Sequence, residues 1–404
     1  MFNLKKILVI SNGNGEDISG CQIAKQLINL GHDVEALPIV GNGNIYKKNK
    51  INVIIKTKTF STGGLGYNSI RGTILDILEG QIIYLIKILF LIFSRRKEYK
   101  FLITIGDILP VFLAWLIRKE TFTYLVAYSS HYEGKLRLPW PCSYFLKSDK
   151  FKLVFARDLL TSLDLSSQLK RKVDFQGNPF MDELIISGVT NKSKLFTIGV
   201  LPGSRMPELA RNISLIFRLL SSIPIEYNFF RGIVFDMALA DSLDINQILY
   251  LVSKYRFIRI EKMTRDNVLI ISISNLMINI RWSSFQEIMN NSDMFISMSG
   301  TAAEQAIGLS KPVLQLIGGG PQFNYKFAEA QRRLLGKYVF CAEYSALKEI
   351  YFNNTIGLLI DIIYRLKIDS SFLNNCRKNS SIRIGLPNKK SQVAKIISNS
   401  IYLS

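Results

Sequence analysis

The stretch that decides the fold reads LPGSR at residues 201–205, between an apolar, strand-like run and a helix-like segment. The stretch SGTAAE at residues 299–304 has the same surroundings. A turn of this kind presents the backbone N–H groups of a helix N-terminus, where an anion is stabilised. Gly203 and Gly300 carry no Cβ, so a ligand can approach the backbone closely. Together the two turns predict a phosphate site.

The rest of the chain repeats this alternation of strands and helices. Near the N-terminus, the apolar run 7–10 is followed by the turn SNGNGED at 11–17 and by a helical pattern that Gly31 ends. Strand-like runs and helix-length segments alternate in both halves, which is typical of parallel sheets covered on both faces. We predict two Rossmann-like α/β domains, with the ligand at the carboxyl ends of the strands, in the cleft between them.

The length of the chain also indicates two domains, because 404 residues exceed the usual size of a single core. We expect an N-terminal domain at 1–182 and a C-terminal domain at 190–375. The stretch GNP at 177–179 and the polar residues 190–194 bracket the expected hinge. The last segment, 376–404, reads as a helical tail that could pack back on the N-terminal domain.

The chain is strongly basic, with 51 Lys and Arg residues against 31 Asp and Glu and a formal net charge of +20. Such a field attracts phosphate-rich surfaces and anionic substrates. The basic residues are scattered and no nucleic-acid-binding motif accompanies them, so we expect no nucleic acid as partner. The four cysteines lie far apart, which is not the spacing of a zinc or redox site and fits a reducing cytoplasm.

The apolar segment 75–93 is the candidate membrane-facing element. Its longest uninterrupted part, 82–93, contains Lys87 and is well short of the roughly 20 residues that a bilayer crossing needs. Basic residues follow at once: Arg95, Arg96, Lys97 and Lys100. The combination suits a helix lying on a lipid interface beside anionic headgroups, or else a buried core helix with a solvated tail. The apolar run 7–10 is too short for a signal peptide.

Six short motifs, in this order along the chain, carry a family resemblance. They are SNGNGED at 11–17, GD at 106–107, GNP at 177–179, LPGSR at 201–205, SGTA at 299–302 and GPQF at 320–323. Over roughly residues 6 to 340 the chain resembles lipid-A-disaccharide synthases, and in particular the lipid-A-disaccharide synthase-related proteins, within the two-domain GT-B glycosyltransferases.

The resemblance implies two domains that face each other across a cleft. It implies a nucleotide-sugar donor, a UDP-sugar in the first place, bound by the C-terminal domain. It also implies a lipid-linked or membrane-derived acceptor on the N-terminal side and inversion at the sugar carbon, without an essential metal or cofactor. The chain has two histidines and no Asp-x-Asp pair, which agrees with a site that needs no protein-held metal.

Sugar transfer places negative charge on the departing diphosphate, so catalysis needs preorganised donors near the phosphates. The candidate donor-binding residues are Gly203, Ser204, Arg205, Ser299, Gly300, Thr301, Glu304, Gln305 and Gln322. Arg205 could instead pair with Glu208, and Glu304 could close a capping box. In the family, the acidic residue that follows the Gly-Thr turn lies one position beyond the equivalent of Glu304, where this chain has Gln305. The resemblance therefore implies a ribose contact at Glu304 or Gln305. Gln322 meets the donor or is a plain loop residue.

The acceptor hydroxyl needs a general base, and Asp107 is the first candidate because it follows a strand and matches an acidic position of the family. It could instead cap the next helix. Glu16 and Asp17 are the alternatives, or else partners of a helix dipole. The remaining acceptor-side candidates are Gly13, Asn14, Gly15 and His131.

Three functions remain open at this stage. The first is an inverting glycosyltransferase at the cytoplasmic face of a membrane, bound there peripherally. The second is an enzyme like UDP-N-acetylglucosamine 2-epimerase, which would release a free sugar, and the third is a nucleotide-sugar-binding protein without turnover.

Overall fold

The computed structural model describes residues 6–40, 43–55, 80–134, 136–185, 195–204, 206–224, 228–240, 243–264, 268–319, 324–386 and 389–403. The chain divides into two compact units. The N-terminal unit comprises Met1–Asp182 and Lys389–Ser404, and the C-terminal unit comprises Glu183–Asn388.

The N-terminal unit is built on a parallel sheet with the order β3-β2-β1-β4-β5-β6 among its described strands. The strands are β1 (Ile7–Ser11), β2 (Val34–Pro38), β3 (Asn52–Val53), β4 (Phe101–Gly106), β5 (Glu120–Leu125) and β6 (Phe151–Ala156). The helices are α1 (Asn14–Asn29), α2 (Asn44–Lys48), α3 (Gln81–Arg95), α4 (Ile108–Ile117), α5 (Ser130–Glu133), α6 (Trp140–Leu146) and α7 (Leu159–Leu169). All five residues of β1 are buried, as expected for a central strand of a parallel sheet.

The end of the chain completes this unit with α15 (Val393–Leu403). Its residues Val393, Ile397 and Ile401 are buried in the same apolar cluster as Ile7 and Val9. Ser391, just before this helix, donates two hydrogen bonds to the buried carboxylate of Asp182, from its backbone N at 2.7 Å and from its Oγ at 3.0 Å.

The C-terminal unit has a sheet with the order β14-β13-β12-β7-β8-β11-β10-β9 among its described strands. The strands are β7 (Phe196–Leu201), β8 (Ile233–Leu239), β9 (Ile258–Met263), β10 (Val268–Ile273), β11 (Leu276–Trp282), β12 (Met294–Ser297), β13 (Val313–Gln315) and β14 (Val339–Cys341). The helices are α8 (Glu208–Ser221), α9 (Ile245–Ser253), α10 (Phe285–Asn291), α11 (Gly300–Gly308), α12 (Tyr325–Leu335), α13 (Lys348–Ile368) and α14 (Ser370–Arg383). Neighbouring strands from β14 to β11 pair in parallel, and β10 pairs antiparallel with both β11 and β9, so β10 alone among the described strands of this sheet runs in the opposite direction.

The sequence patterns did not indicate β10. The turn between β10 and β11, at Ser274 and Asn275, contains neither Gly nor Pro, the two strongest turn signals. Ser274 provides the bend itself with a left-handed backbone, φ 54°. Among the described helices, none combines the length and the hydropathy that a bilayer crossing requires.

In each sheet, the strand order along the chain changes direction at one strand, whose two neighbours are reached by separate connections. In the N-terminal unit β1 lies between β2 and β4, and in the C-terminal unit β7 lies between β8 and β12. In open α/β sheets, ligands bind outside the carboxyl ends of the strands at such a switch point. The loops after β1 and β4, and those after β7 and β12, are therefore the places to look for a site.

Candidate functional site

The two glycine turns of the C-terminal unit lie against each other. Gly203 has φ +100°, and a Cβ added there would come within 3.1 Å of the backbone oxygen of Met298. The backbone N of Met298 in turn donates to the oxygen of Leu201 at 2.8 Å. The buried amide of Asn212, on α8, holds the first turn by donating to the oxygen of Pro202 at 2.9 Å. A side chain at position 203 would therefore be both crowded by the backbone oxygen of Met298 and strained by the positive φ.

The second turn opens α11. Ser299 is its N-cap, and its Oγ accepts a hydrogen bond from the backbone N of Ala302 at 3.4 Å. Gly300 is packed from the side, since a Cβ there would lie 3.6 Å from Cζ of Phe327 and 3.9 Å from Nε2 of Gln331. The first N–H groups of an α-helix have no partner within the helix, so this N-terminus is suited to an anion.

The other donor-binding candidates lie in different surroundings. Ser204 is exposed, Thr301 and Glu304 are half-buried, and Gln305 is buried within the unit. Arg205 and Gln322 lie outside the described residues. A ligand on the turns can therefore reach Thr301 and Glu304 more readily than Gln305.

Sequence reasoning missed two buried amides near the second turn. Gln331 lies beside Gly300, and Gln315 ends β13 in register with Ser297 of β12. Both side chains are buried, and neither Oε1 has a hydrogen-bond partner within the part of the chain that the structure describes. No local pattern marks them, because each is an ordinary polar residue of a helix or strand until the fold brings it to the turn.

In the N-terminal unit, Asp107 follows β4 and is held by its neighbours. Both of its carboxylate oxygens accept hydrogen bonds from Nδ2 of Asn12, each at 3.0 Å. Its Oδ1 also accepts from the backbone N of Leu109 at 2.9 Å, which caps α4. The capping role foreseen as an alternative is thus present, and it fixes the carboxylate at the carboxyl end of the sheet.

Glu16 lies near the carboxyl end of β4, which Asp107 follows. A Cβ on Gly106 would come 3.3 Å from Cβ of Asn12 and 3.5 Å from Cγ of Glu16. A Cβ on Gly13, which has φ +136°, would come 2.6 Å from Oε2 of Glu16. The start of α1, with the acceptor-side candidates Gly13, Asn14 and Gly15, therefore brings Glu16 beside the strand end that carries Asp107.

Asp17 belongs to a buried hydrogen-bonded chain behind this edge. Oγ of Ser11 donates to Oδ1 of Asp17 at 2.5 Å and lies 2.9 Å from the hydroxyl of Tyr46. Burial raises the pKa of Asp17 to about 7; the hydrogen bond from Ser11 lowers it and the charge of Glu16 raises it further. Burial also raises the pKa of Tyr46 well above its ordinary value. Sequence reasoning considered Asp17 but could not place Tyr46 next to it.

His131 lies in a separate polar group after β5 and β6. Its Nε2 is 3.8 Å from Oδ1 of Asp158. Asp158 caps α7 and accepts from Oγ of Ser129 at 2.8 Å and from Oγ1 of Thr161 at 2.7 Å. Among the described residues, no group of three His, Cys, Asp or Glu side chains is arranged to hold a metal ion.

Comparisons with known proteins identify the fold. No family model matches the chain, and no curated protein matches its sequence. Among solved structures, MurG of Acinetobacter baumannii matches with a TM-score of 0.55 and 13% identity, over 99% of this chain and 100% of that one. The UDP-GlcNAc 2-epimerase of Neisseria meningitidis, bound to UDP-GlcNAc, matches with a TM-score of 0.51 and 15% identity, over 99% and 100%.

The spinosyn rhamnosyltransferase SpnG, complexed with thymidine diphosphate, matches with a TM-score of 0.55 and 14% identity, over 98% of this chain and 100% of that one. The predicted fold class is confirmed: the chain has the GT-B fold, with two Rossmann-like units. At these identities the likeness concerns the fold alone, and it extends to transferases and an epimerase equally.

Proposed function

We propose that this chain is an inverting glycosyltransferase that moves a sugar from a UDP-sugar to a lipid-linked or membrane-derived acceptor, in the manner of lipid-A-disaccharide synthases. The observation that carries the proposal is the contact between the two glycine turns, where a Cβ on Gly203 would meet Met298 at 3.1 Å. The contact supports a single phosphate site formed by both turns, and the GT-B fold supports a nucleotide sugar as its ligand.

Each part of the proposed donor site has a chemical role. The backbone of Gly203, the hydroxyl of Ser204 and the N-terminus of α11, at 299–301, bind the diphosphate as its negative charge grows. Arg205 adds a fixed positive charge, and Gln322 contacts the sugar. Glu304 binds the nucleoside, with Gln305 as the alternative. No step of this scheme needs a bound metal.

The proposed base is Asp107, with Glu16 as the alternative. Three hydrogen bonds from two nitrogen donors, Nδ2 of Asn12 and the backbone N of Leu109, orient the carboxylate of Asp107. Oδ2 accepts only the Asn12 bond among its described contacts, which leaves it capacity for an acceptor hydroxyl. The remaining acceptor-side residues, with His131 among them, would contact the acceptor molecule.

The acceptor is proposed to come from a membrane because α3 has two apolar faces. Tyr84, Ile88 and Ile92 are buried in the core of the N-terminal unit. On the other face, a stripe of four apolar side chains is exposed: Ile83 by 62%, Ile86 by 58%, Phe90 by 76% and Phe93 by 37%. Such a stripe differs from apolar side chains scattered singly over a surface, which supports a lipid contact on this side of α3.

A basic group lies beside this stripe, because Cζ of Arg96 is 5.7 Å from the ring centre of Phe93. Arg96 and Lys97 follow α3 and, with Arg118 and Lys119, line a cavity of about 450 Å³ whose other walls are Trp115, Leu116 and Ile117. Apolar side chains flanked by cations suit the surface of an anionic bilayer. We therefore propose peripheral binding at the cytoplasmic face of a membrane.

Donor binding is tested by thermal unfolding with UDP-, GDP-, CDP- and dTDP-sugars. A ligand that binds the folded state raises the Tm, and we expect the largest rise with a UDP-sugar. Ser299→Ala should reduce that rise. Asp244→Ala is the matched control, because it removes the N-cap of α9 in the same unit and should leave the rise unchanged. The proposal fails if none of the four raises the Tm, or if Ser299→Ala binds as tightly as wild type.

The base is tested on the donor and acceptor so identified. Removing a general base costs about 10² to 10⁴ in kcat, and we expect this loss in Asp107→Asn and a smaller one in Glu16→Gln. Asp369→Asn, which makes the same exchange at the N-cap of α14, should keep wild-type turnover. If both Asp107→Asn and Glu16→Gln keep it too, these roles are wrong.

Product analysis separates the three functions. A sugar attached to the acceptor supports transfer. A free sugar released without any acceptor points to an epimerase-like reaction, and binding without any product points to a non-catalytic protein.

A further inference from the structure

The C-terminal unit has a groove of about 690 Å³ along the outer side of α8. We call it the α8 groove; the end of α9, the loop 317–319 and the start of α13 form its other walls. Its size falls within the roughly 300–1,000 Å³ of small-molecule sites. None of the residues 203, 204, 299–301, 304 and 305 lines it. Asn212, which holds the first glycine turn, is part of its wall, so the groove adjoins the donor site proposed above without including these residues.

Four cationic residues line the α8 groove: Arg211, Arg218, Lys254 and Lys348. Its described lining contains no Asp or Glu. The cations are exposed at the rim, and Nη1 of Arg211 donates to the oxygen of Gly319 at 3.1 Å. Like charges gathered around one concavity raise its positive potential, which attracts an anion.

The floor of the groove is apolar and aromatic. Leu251, Tyr351 and Phe352 are buried there, and Leu215 and Tyr255 are half-buried. Tyr255 lies between this floor and the rim, with its ring 5.8 Å from Cζ of Arg218. Buried aromatic and aliphatic walls favour a ligand with an apolar body, which inorganic phosphate lacks.

We propose that the α8 groove binds an organic phosphate. The phosphate lies among the four rim cations, and a ring or hydrocarbon portion packs against Tyr255 and the buried floor. Binding of this kind does not depend on the proposed sugar transfer. A soluble aromatic phosphate and a phospholipid headgroup share this chemistry, and the test below distinguishes them.

The test is calorimetric titration of the full chain with 1-naphthyl phosphate, dihexanoyl phosphatidic acid and inorganic phosphate. We expect at least one organic phosphate to bind about tenfold or more tightly than inorganic phosphate. Tighter binding of the naphthyl compound indicates a soluble aromatic ligand, and tighter binding of the short-chain lipid indicates a headgroup with its chains. Failure of both organic phosphates to bind overturns the proposal.

Variants locate the binding. Arg218→Gln with Lys254→Gln should weaken it about tenfold or more. Arg377→Gln with Lys378→Gln makes the same charge change on α14, outside the groove, and should leave affinity unchanged. Ser299→Ala, at the glycine turn, should also leave it unchanged.

If Arg377→Gln with Lys378→Gln lost as much affinity as Arg218→Gln with Lys254→Gln, binding would depend only on net charge. A loss confined to Ser299→Ala would place the probe on the turns, and unchanged affinity in the groove variant would exclude the groove; each result overturns the proposal. Thermal unfolding of each variant shows that the fold is intact. Failure of the UDP-sugar experiment would leave this outcome untouched, so the two proposals fail separately.

Discussion

At the scale of single residues, the candidate site depends on contacts that a small change removes. Asn12 joins the loops after β1 and β4 through its two hydrogen bonds to Asp107. Gly203 lets one turn approach the other, and an added Cβ would lie 3.1 Å from a backbone oxygen that cannot move aside easily. Burial raises the pKa of Asp17, which lies behind this edge of the sheet.

Asp17 should make stability depend on pH. Because burial raises its pKa from 3.8 to about 7, the folded state holds the proton more tightly than the unfolded chain does. The free energy of unfolding should therefore fall as pH rises from about 4 to about 7, by up to about 1.4 kcal/mol per pH unit. In Asp17→Asn this contribution disappears, so wild type should lose stability relative to the variant as pH rises from 5 to 7.

Urea unfolding at pH 5, 6 and 7 measures the difference. Asp33→Asn is the control, because Asp33 is an exposed carboxylate of the same unit. A difference between wild type and Asp17→Asn that stays constant across the three pH values would contradict the prediction.

At the scale of elements, α3 serves two environments at once. Its buried face joins the core through Tyr84, Ile88 and Ile92, and its exposed stripe recurs at 83, 86, 90 and 93, which is one side of a helix. Residues 75–79 of the predicted apolar segment lie outside the described residues. The two interpretations left open by the sequence, a core helix and an interfacial helix, are thus both consistent with faces of the same element.

We predict that the exposed stripe binds anionic bilayers. Ile86→Ser with Phe90→Ser should reduce sedimentation with phosphatidylglycerol-containing vesicles by about tenfold or more in partition coefficient, because two large apolar side chains no longer leave water. Wild type should bind vesicles of pure phosphatidylcholine more weakly, since the cations beside the stripe then have no anionic partner.

Leu159→Ser with Leu163→Ser is the matched control. These side chains are also exposed, are also four positions apart, and lie on α7 of the same unit. Equal partitioning of the stripe variant and the control would exclude α3 as the membrane contact.

At the scale of the whole molecule, the two ends of the chain form one folding unit. Helix α15 packs on α1, and Nε2 of His32 lies 2.8 Å from Oγ of Ser398. The intervening helix α14 belongs to the C-terminal unit. The C-terminal unit is therefore a continuous internal segment, and the N-terminal unit combines two separate segments of the chain.

The stability of the N-terminal unit should thus depend on its last helix. Ile397→Ala removes a buried side chain and should cost about 2–5 kcal/mol. Leu403→Ala, on the same helix but 90% exposed, should change stability by less than about 0.5 kcal/mol. Hydrogen exchange followed by mass spectrometry should show faster exchange in β1 and α1 of Ile397→Ala; equal rates in both variants would contradict the packing described for α15.

The sequence alone determined the fold class and the positions of the turns, because both follow from local signals. Strands such as β1 and β7 are short apolar runs followed by glycine-rich turns, and this periodicity is a property of a few adjacent residues. The sequence missed β10 for the same reason, because the turn that joins β10 to β11 contains neither Gly nor Pro.

The tertiary structure alone decided which turns meet and which side chains share a site. The contact of Gly203 with Met298, the bonds of Asn12 to Asp107 and the chain from Tyr46 through Ser11 to Asp17 join residues from different strands and helices. Only the pairing order of the parallel strands brings these residues together, and that order depends on the burial of whole sheet faces rather than on any local pattern. Burial likewise raises the pKa of Asp17, which its sequence neighbours do not reveal.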